Sequence, residues 1–274
     1  MTTFFKACSL LLVASTGLAA TVIPIELELE KGNPVAAVRV NGIPLHLIID
    51  SGGEYIALKP QAFRKVPLAP AGKTVPGMNA LGESRPQSIF NLATLEMGGG
   101  TFRNLEATEA GAYAEGAAGD GVIGRVFLNR HIAVYDYAAK TITLFSFRER
   151  RAAEQLCRGV AVPTIPDPEG IIVSAAKTDH ATMRLGWDTG AVYSFVKKTF
   201  AEEQQLPIEV PFYNSRRFEM SGQDFGPQQF VAIDALAPAS IDGFIGYNFF
   251  MSHVVCIDPQ KKVVRVRPRS ASAN

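Results

Sequence analysis

The chain has 274 residues, of which 27 are basic and 26 acidic, and 47% are hydrophobic. This length allows one large domain or two of ordinary size, and the apolar fraction is too high for a disordered chain. A formal net charge of +1 gives no electrostatic footprint for nucleic acid, so we expect no nucleic-acid partner.

The first twenty residues have the pattern of a secretory signal peptide. Lys6 precedes an apolar run at Ala7–Ala14, and mostly small residues follow as far as Ala20. Because a segment of this kind is removed on export, we predict a signal peptide at residues 1–20, cleaved after Ala19 rather than Ala20. The alternative is a buried N-terminal helix. No later stretch reaches the ~18 apolar residues of a membrane span, so we expect an exported protein, periplasmic or extracellular, without a span.

The first half of the remaining chain is predicted to form β-hairpins. Strand-like runs at Val35–Val40 and Ile43–Ile49 flank Asn41-Gly42, the strongest short hairpin signal. A second hairpin is predicted from Ile132–Tyr135 and Thr141–Phe145. A short helix is predicted around Pro60–Val66.

The second half repeats this arrangement. Ile171–Ala175 and Met183–Trp187 correspond to the first hairpin, and Val254–Ile257 and Val263–Val266 to the last one. A short helix is predicted at Lys197–Gln205. Between the halves lies the charged stretch Arg148–Arg158, which we interpret as the linker between an N-terminal lobe at 21–150 and a C-terminal lobe at 151–274.

An internal repeat supports this division. Residues 120–144 align with 242–266 without a gap, and eight of the 25 positions are identical. Upstream, Asp50-Ser51-Gly52 corresponds to Asp188-Thr189-Gly190 in a similar apolar context. One duplicated unit therefore accounts for most of the chain.

Asp50 and Asp188 are the candidate catalytic residues. An aspartate after a buried strand is costly unless its charge is shared or hydrogen-bonded, and two at equivalent positions suggest that the lobes face each other there. Two carboxyl groups in contact share one proton. One can then draw a proton from a trapped water while the other protonates a carbonyl oxygen, which hydrolyses an amide without a metal or a covalent intermediate.

The neighbouring residues suit this chemistry. Gly52 and Gly190 permit tight turns and leave room beside the carboxylates. The hydroxyls of Ser51 and Thr189 can tie each loop to the opposite backbone. The later Asp-Gly-x-Ile-Gly elements, at Asp120–Gly124 and Asp242–Gly246, have the glycines needed where a second strand passes close behind the first loop.

On these motifs the chain resembles the bilobal aspartic proteases of the pepsin/retropepsin clan, and it is most similar to bacterial secreted aspartyl proteases. The resemblance implies a mostly β fold, with two related β-barrel-like lobes and an active-site cleft between them. It implies that Asp50 and Asp188 form the catalytic dyad, that Ser51 and Thr189 are the interlocking hydroxyls, and that the substrate is a peptide or protein. A flap is also implied, with Val75–Phe90 and Phe212–Phe225 as the candidate stretches.

The sequence departs from the family after the first motif. Gly53 stands where pepsin-like members place a hydroxyl and retropepsin-like members an alanine, and Glu54 adds a negative charge. If Glu54 points inward, it should raise the pKa of the dyad by like-charge repulsion; if it points to solvent, little changes. Ala191 is the more usual residue in the second copy, and Ser194 follows it.

Other motifs have structural interpretations. Gly119–Gly124 matches the dinucleotide fingerprint formally, but it lacks the strand–helix context, so we expect no cofactor. The four histidines show no metal-ligand spacing, and the equivalent pair His131 and His253 favours a shared strand-end role; we expect no metal. Ser51 has no serine-hydrolase elbow. Asp136 and Asp258 are interpreted as turn residues.

Three questions remain open at this level. Cys157 and Cys256 either form a disulfide or are two separate buried thiols. A peptide- or protein-binding module that does not cut its ligand is the main alternative to an endopeptidase. A carrier for a small apolar ligand is a third hypothesis, and it predicts aspartates too far apart to share a proton.

Overall fold

The structure is a computed structural model that describes residues 21–24, 26–28, 32–78, 84–110, 118–234 and 238–269. The predicted signal peptide lies outside these residues. Strands predominate over short helices, which confirms the mostly β prediction. Within the described ranges, no helix has the length and apolar character needed to cross a membrane.

The first half of the chain contributes eleven described strands and three short helices. The strands are β1 Thr21–Pro24, β2 Glu26–Glu28, β3 Asn33–Val40, β4 Ile43–Ile49, β5 Ile56–Leu58, β6 Ala69–Met78, β7 Ser84–Met97, β8 Gly100–Glu109, β9 Gly121–Ile123, β10 Ile132–Asp136 and β11 Thr141–Phe145. The helices are α1 Pro60–Phe63, α2 Arg125–Leu128 and, after a 3-10 turn at Phe147–Glu149, α3 Arg150–Leu156.

The second half contributes twelve described strands and two helices. The strands are β12 Val160–Pro163, β13 Val173–Thr178, β14 Thr182–Trp187, β15 Phe195–Lys197, β16 Ile208–Glu209, β17 Phe212–Ser215, β18 Phe218–Met220, β19 Gln223–Asp224, β20 Gln228–Ile233, β21 Gly243–Ile245, β22 His253–Asp258 and β23 Val263–Pro268. The helices are α4 Lys198–Glu203 and α5 Tyr247–Ser252.

Two of the three sheets are built from one half of the chain each. We call the part of the chain that forms the eight-stranded sheet the first lobe. Its strand order is β2-β3-β4-β9-β5-β8-β7-β6, and β3 also pairs with β7, which curls the sheet. The second lobe is named for its nine-stranded sheet, which has the order β16-β17-β20-β15-β21-β14-β13-β18-β19.

The third sheet joins the two halves. Its order is β1-β11-β10-β22-β23-β12, so that three strands come from each half. The central pair, β10 and β22, is antiparallel and places Val134 opposite Cys256. These are the repeat-equivalent final hairpins of the two copies, and their pairing gives the molecule its approximate twofold arrangement.

The predicted hairpins are confirmed, and their turns have the expected cause. Asn41 and Gly42 both have positive φ angles, +48° and +83°, as a two-residue turn between twisted strands requires. In the second copy the pairing of β13 with β14 places Val173 opposite Gly186. The predicted short helices are also present, as α1 and α4.

Most of the charged stretch interpreted as a linker forms the helix α3. Its buried Ala153 packs with Ile132, Val134 and Val254 of the joining sheet. Cys157, which follows the helix, forms a disulfide with Cys256 in β22, with the two Cα atoms 5.7 Å apart. The structure therefore favours the disulfide over separate thiols. This disulfide attaches the end of α3, which connects the lobes, to the sheet that joins them.

Candidate active site

Asp50 and Asp188 occupy equivalent positions at the ends of two buried strands. Asp50 follows β4, which runs parallel to β9, and Asp188 follows β14, which runs parallel to β21. The backbone N–H of Asp50 donates to Ile123 O at 3.0 Å, and that of Asp188 donates to Ile245 O at 3.0 Å. The Gly-x-Ile-Gly elements thus fix the ends of both aspartate-bearing strands.

Close packing at these elements explains their glycines. A Cβ on Gly121 would lie 2.2 Å from Ala57 O, and one on Gly243 would lie 2.1 Å from Phe195 O. The aspartates of the same elements close the arrangement, because Asp120 accepts from His46 N at 2.8 Å and Asp242 from Arg184 N at 2.7 Å. The sequence predicted that these glycines allow close packing, but it did not predict the contacts of Asp120 and Asp242. The signal that could have identified them is that both copies of the repeat have an aspartate at this position.

Ser51 and Thr189 connect the two loops through four hydrogen bonds. The Ser51 hydroxyl donates to Trp187 O at 2.8 Å and accepts from Thr189 N at 3.0 Å. The Thr189 hydroxyl donates to Ile49 O at 2.7 Å and accepts from Ser51 N at 2.9 Å. Both residues are buried. The geometry is the one that the resemblance implied for these hydroxyls.

Backbone N–H groups orient the two carboxylates. Gly52 N and Gly53 N donate to Asp50 Oδ1 at 3.0 and 2.7 Å. Gly190 N donates to Asp188 Oδ1 at 2.8 Å, and the N–H of Ala191 also binds that carboxylate. Gly53 lacks the hydroxyl found in pepsin-like members, but its backbone N–H supplies a donor to the carboxylate.

The two carboxyl groups are in contact. Burial raises the pKa of Asp188 well above its usual range, the negative charge of Asp50 raises it further, and so does a hydrogen bond between the two carboxyl groups. The N–H donors of Gly190 and Ala191 oppose this rise. The pair therefore has the property of a dyad that retains one proton between two acids, and the separated aspartates predicted by the carrier hypothesis are not found.

An aromatic layer lies beneath the loops. Tyr137, fully buried, donates its hydroxyl to Thr189 O at 3.1 Å and stacks on Phe250, with ring centroids 5.2 Å apart. Tyr135 and Trp187 pack edge-on against the same Phe250 ring. The sequence did not predict the role of Tyr137, because a tyrosine in a hairpin turn gives no sign that its ring contacts the other lobe.

Glu54 does not point into the dyad as an isolated charge. Its side chain is 45% exposed and lies 3.8 Å from the guanidinium of Arg125. A hydrogen bond links it to Tyr55, and burial together with the Glu54 charge raises the pKa of that tyrosine. The outward orientation and the paired cation make Glu54 a smaller perturbation than an inward carboxylate would be.

Two further buried side chains hold the loops that carry Asp50 and Asp188. Arg125 Nη1 donates to Gly52 O at 2.9 Å, and Asn33 Nδ2 donates to Gly190 O at 2.7 Å. Neither was predicted from the sequence. Arg125 directly follows Gly124 of the first Gly-x-Ile-Gly element, and this position was the available signal. Asn33 had none. Ser194, noted near the second motif, accepts from Gly246 N at 3.0 Å behind the loop.

The residues interpreted as structural have structural contacts. His131 Nδ1 lies 3.2 Å from Phe127 O, and the equivalent His253 Nδ1 lies 3.0 Å from Phe249 O. Asp136 accepts from Ala139 N at 3.1 Å, and Asp258 from Lys261 N at 3.0 Å. In the part of the chain that the structure describes, no group of three or more His, Cys, Asp or Glu residues is arranged to hold a metal ion.

The flap candidates fall on different structures in the two lobes. Val75–Phe90 lies in the antiparallel pair β6 and β7, and residues 79–83 between the two strands are outside the described residues. Phe212–Phe225 instead spans β17, which pairs with β20, and the small β18–β19 hairpin. The assignment of a flap to either stretch stays a prediction.

Comparison with known proteins agrees with the fold and the motifs. The sequence model described as "Aspartyl protease" matches residues 36–127, and no curated protein matches by sequence. The chain has a TM-score of 0.64 and 13% identity to the aspartic proteinase from Irpex lacteus, covering 93% of this chain and 99% of that one. It has a TM-score of 0.60 and 11% identity to Basic 7S globulin from soybean, covering 92% and 95%.

The sequence match over residues 36–127 and the shared fold make the chain similar to the aspartic proteases of the pepsin/retropepsin clan. The fold is the bilobal aspartic proteinase fold, and the match to the aspartyl protease model supports a protease-like function. Since one of the two structural relatives is named a proteinase and the other a globulin, the fold alone does not assign proteolysis.

Proposed function

We propose that the protein is an aspartic endopeptidase that hydrolyses peptide bonds with a water activated between Asp50 and Asp188. The observation that carries this proposal is the contact between two carboxyl groups, one from each lobe, with the pKa of Asp188 raised by desolvation and by the charge of Asp50. A dyad with one proton supplies a base and an acid at the same place.

The two aspartates take different roles in this proposal. Asp188 carries the shared proton and donates it toward the carbonyl oxygen of the substrate. Asp50 accepts a proton from water, whose oxygen attacks the carbonyl carbon and forms a tetrahedral intermediate. Asp50 then gives its newly acquired proton to the leaving nitrogen, while Asp188 recovers a proton from a hydroxyl of the intermediate. The C–N bond breaks, a carboxyl group and an amine are released, and the dyad returns to its starting state with one proton.

The loops around the dyad keep this geometry fixed. Four interlobe hydrogen bonds of Ser51 and Thr189 set the relative position of the two strand ends. The glycines at 52 and 190 leave no side chain between the carboxyls, since a Cβ at either position would lie within 2.6 Å of the opposite carboxyl carbon. A reaction that needs both groups on one water requires such constraint.

Pepstatin-sensitive hydrolysis of a mixed peptide pool at several pH values tests the proposal. Cleavage blocked by pepstatin supports the endopeptidase. The peptide-binding module is the second candidate, favoured by Gly53 in place of a hydroxyl, and it predicts peptides retained by the protein but recovered intact. Recovery of intact peptides at every pH would contradict the endopeptidase.

We propose further that the protein is exported and that its lobes divide at residues 150 and 151. The signal-like pattern of residues 1–20 supports export, and expression followed by mass spectrometry of the N-terminus tests it, with Ala20 expected as the first residue. The separate eight- and nine-stranded sheets support the lobe division. Limited proteolysis that nicks the chain near α3 would support the boundary, and fragments with ends inside either sheet would contradict it.

A further inference from the structure

Arg125 is a buried cation beside the proposed dyad that the mechanism above does not use. Its side chain is 8% exposed, and an arginine at this depth needs compensating partners. It has three: Gly52 O at 2.9 Å from Nη1, Glu169 O at 2.9 Å from Nε, and Glu54 Oε2 at 3.8 Å from Nη2. The guanidinium thus contacts the catalytic loop of the first lobe and a loop of the second.

The contact with Gly52 acts on Asp50 through a single peptide group. The carbonyl of Gly52 and the N–H of Gly53 belong to the same planar unit. Arg125 Nη1 donates to the Gly52 carbonyl oxygen at 2.9 Å, and the Gly53 N–H donates to Asp50 Oδ1 at 2.7 Å. A charged donor on the carbonyl polarises the peptide and strengthens the N–H as a donor.

The second lobe has the same arrangement without the charge. The Gly190 carbonyl accepts from the neutral amide of Asn33 at 2.7 Å, and the N–H of the same peptide group, from Ala191, binds the Asp188 carboxylate. Asn33 is buried, as Arg125 is. The two aspartates therefore differ in the charge behind the peptide that orients each of them.

We propose that Arg125 is a positioning residue that fixes the Gly52–Gly53 peptide and makes Asp50 the member of the dyad that carries the negative charge. The effect of Arg125 on catalysis rests on the proposed function. The asymmetry of the dyad does not, because it is a property of the folded protein and can be measured without a substrate. Glu54 limits the effect of the cation, since its carboxylate lies on the same guanidinium.

In the described part of the chain, the titratable groups near Asp50 are Asp188 after β14, Tyr135 in β10 and Tyr137 after β10. Arg125 in α2 and the half-exposed Glu54 act on the dyad from outside it. Burial raises the pKa of both tyrosines, so they stay neutral at working pH. Arg125 favours the first ionisation of the dyad, and Glu54 opposes it.

The test is a pH titration of the dyad in the full chain, followed by the carboxyl resonances of ¹³C-labelled aspartate and assigned with Asp50→Asn and Asp188→Asn. Arg125→Met should move the first proton loss of the dyad to higher pH, and Arg125→Lys, which keeps the charge, should restore much of the original position. Arg130→Met, which removes an exposed arginine just after the same helix, is the matched control and should change nothing.

A variant of opposite sign keeps the test decisive if Arg125→Met does not fold. Glu54→Gln changes a half-exposed side chain and leaves Arg125 in place, so the first proton loss should move to lower pH. Asn33→Leu removes the neutral donor of the second lobe and should not reproduce the Arg125→Met shift. Unchanged titration in Glu54→Gln, or in a folded Arg125→Met, would overturn the proposal.

Peptide hydrolysis gives the second readout. The acidic limb of the pH profile of kcat/KM should move with the titration, to higher pH for Arg125→Met and to lower pH for Glu54→Gln. In Arg125→Met, kcat should fall about 10-fold, which is the scale of one charge-assisted hydrogen bond. A chain that cleaves no peptide contradicts the proposed function while the titration still decides the role of Arg125. A rate loss without movement of the limb or of the titration would show a merely structural role and contradict the proposal.

Discussion

The α-carbon of Gly52 in the first lobe lies against the carboxyl group of Asp188 in the second. A Cβ placed on Gly52 would be 2.5 Å from Asp188 Cγ and 2.5 Å from Oδ2, which is closer than any real Cβ contact. The reciprocal pair, Gly190 and Asp50, has a corresponding distance of 2.6 Å to Cγ. The two lobes therefore meet through backbone at the dyad, with no room for a side chain between them.

Gly52→Ala should abolish or strongly reduce peptide cleavage, because the methyl group must displace the Asp188 carboxyl or the loop itself. Mutant kinetics on the peptide pool measure this effect. Gly42→Asn is the control: its turn is remote from the site, its Cβ would meet nothing within 4 Å, and asparagine tolerates the positive φ there. Full activity in Gly52→Ala would contradict the packing described.

Thr189→Ala should destabilise the protein by about 2 kcal/mol. The substitution leaves Ser51 N without its acceptor and Ile49 O without its donor in a buried place, and each unsatisfied buried group costs roughly 1–3 kcal/mol. Chemical denaturation measures the change. Thr189→Ser retains the hydroxyl and should lose much less; equal losses in both variants would mean that the hydrogen bonds do not contribute.

The stability of the protein should depend on the Asp188 carboxyl in a defined pH window. Because burial and the Asp50 charge raise the pKa of Asp188, the folded chain keeps a proton that the unfolded chain releases above about pH 4. The free energy of unfolding therefore falls as the pH rises from that value to the raised pKa and is constant above it.

Asp188→Asn removes this dependence, so its stability relative to the unaltered protein should increase with pH across that window. Denaturant midpoints over a pH series measure the difference. Asp234→Asn, which changes a side chain that is 80% exposed, should show no comparable trend. A constant difference between Asp188→Asn and the unaltered protein at all pH values would contradict a proton retained by the folded dyad.

Loss of the disulfide should lower stability without altering the dyad. Cys157 and Cys256 close a loop with a sequence separation of 99 residues, for which loop-closure entropy predicts about 4.7 kcal/mol. Replacing both cysteines by alanine and measuring the denaturant midpoint tests this. The dyad lies in other elements, so the residual activity of folded protein should be unchanged; a specific loss of activity would indicate coupling between the joining sheet and the cleft.

The sequence predicted the features that repeat. The hairpin at Asn41-Gly42, the paired aspartates and the interlocking hydroxyls follow from local turn chemistry and from duplication, and all have the expected positions in the structure. It did not predict Arg125, Asn33 or Tyr137, because each acts on a loop more than 50 residues away through a contact that only the tertiary arrangement creates. Their types break the repeat, and only Arg125, directly after a Gly-x-Ile-Gly element, had a local signal.

The interpretation of Arg148–Arg158 as a linker shows the same limit. The charge pattern predicted a linker but not its packing: Ala153 and the disulfide at Cys157 hold this stretch as a helix against the joining sheet. Both features depend on tertiary contacts that form only when the chain folds. The exposed charges were visible in sequence, while the buried side of the helix was only Ala153, with Cys157 directly after the helix.

Cleavage of a mixed peptide pool by the unaltered protein, Asp50→Asn and Asp188→Asn, compared by mass spectrometry over a pH series, tests the central claim most directly. Circular dichroism of all three confirms that the fold is retained, since asparagine preserves the size of the side chain. The two-aspartate mechanism predicts peptide products from the unaltered protein and none from either folded variant. Products of equal amount from either variant would contradict it.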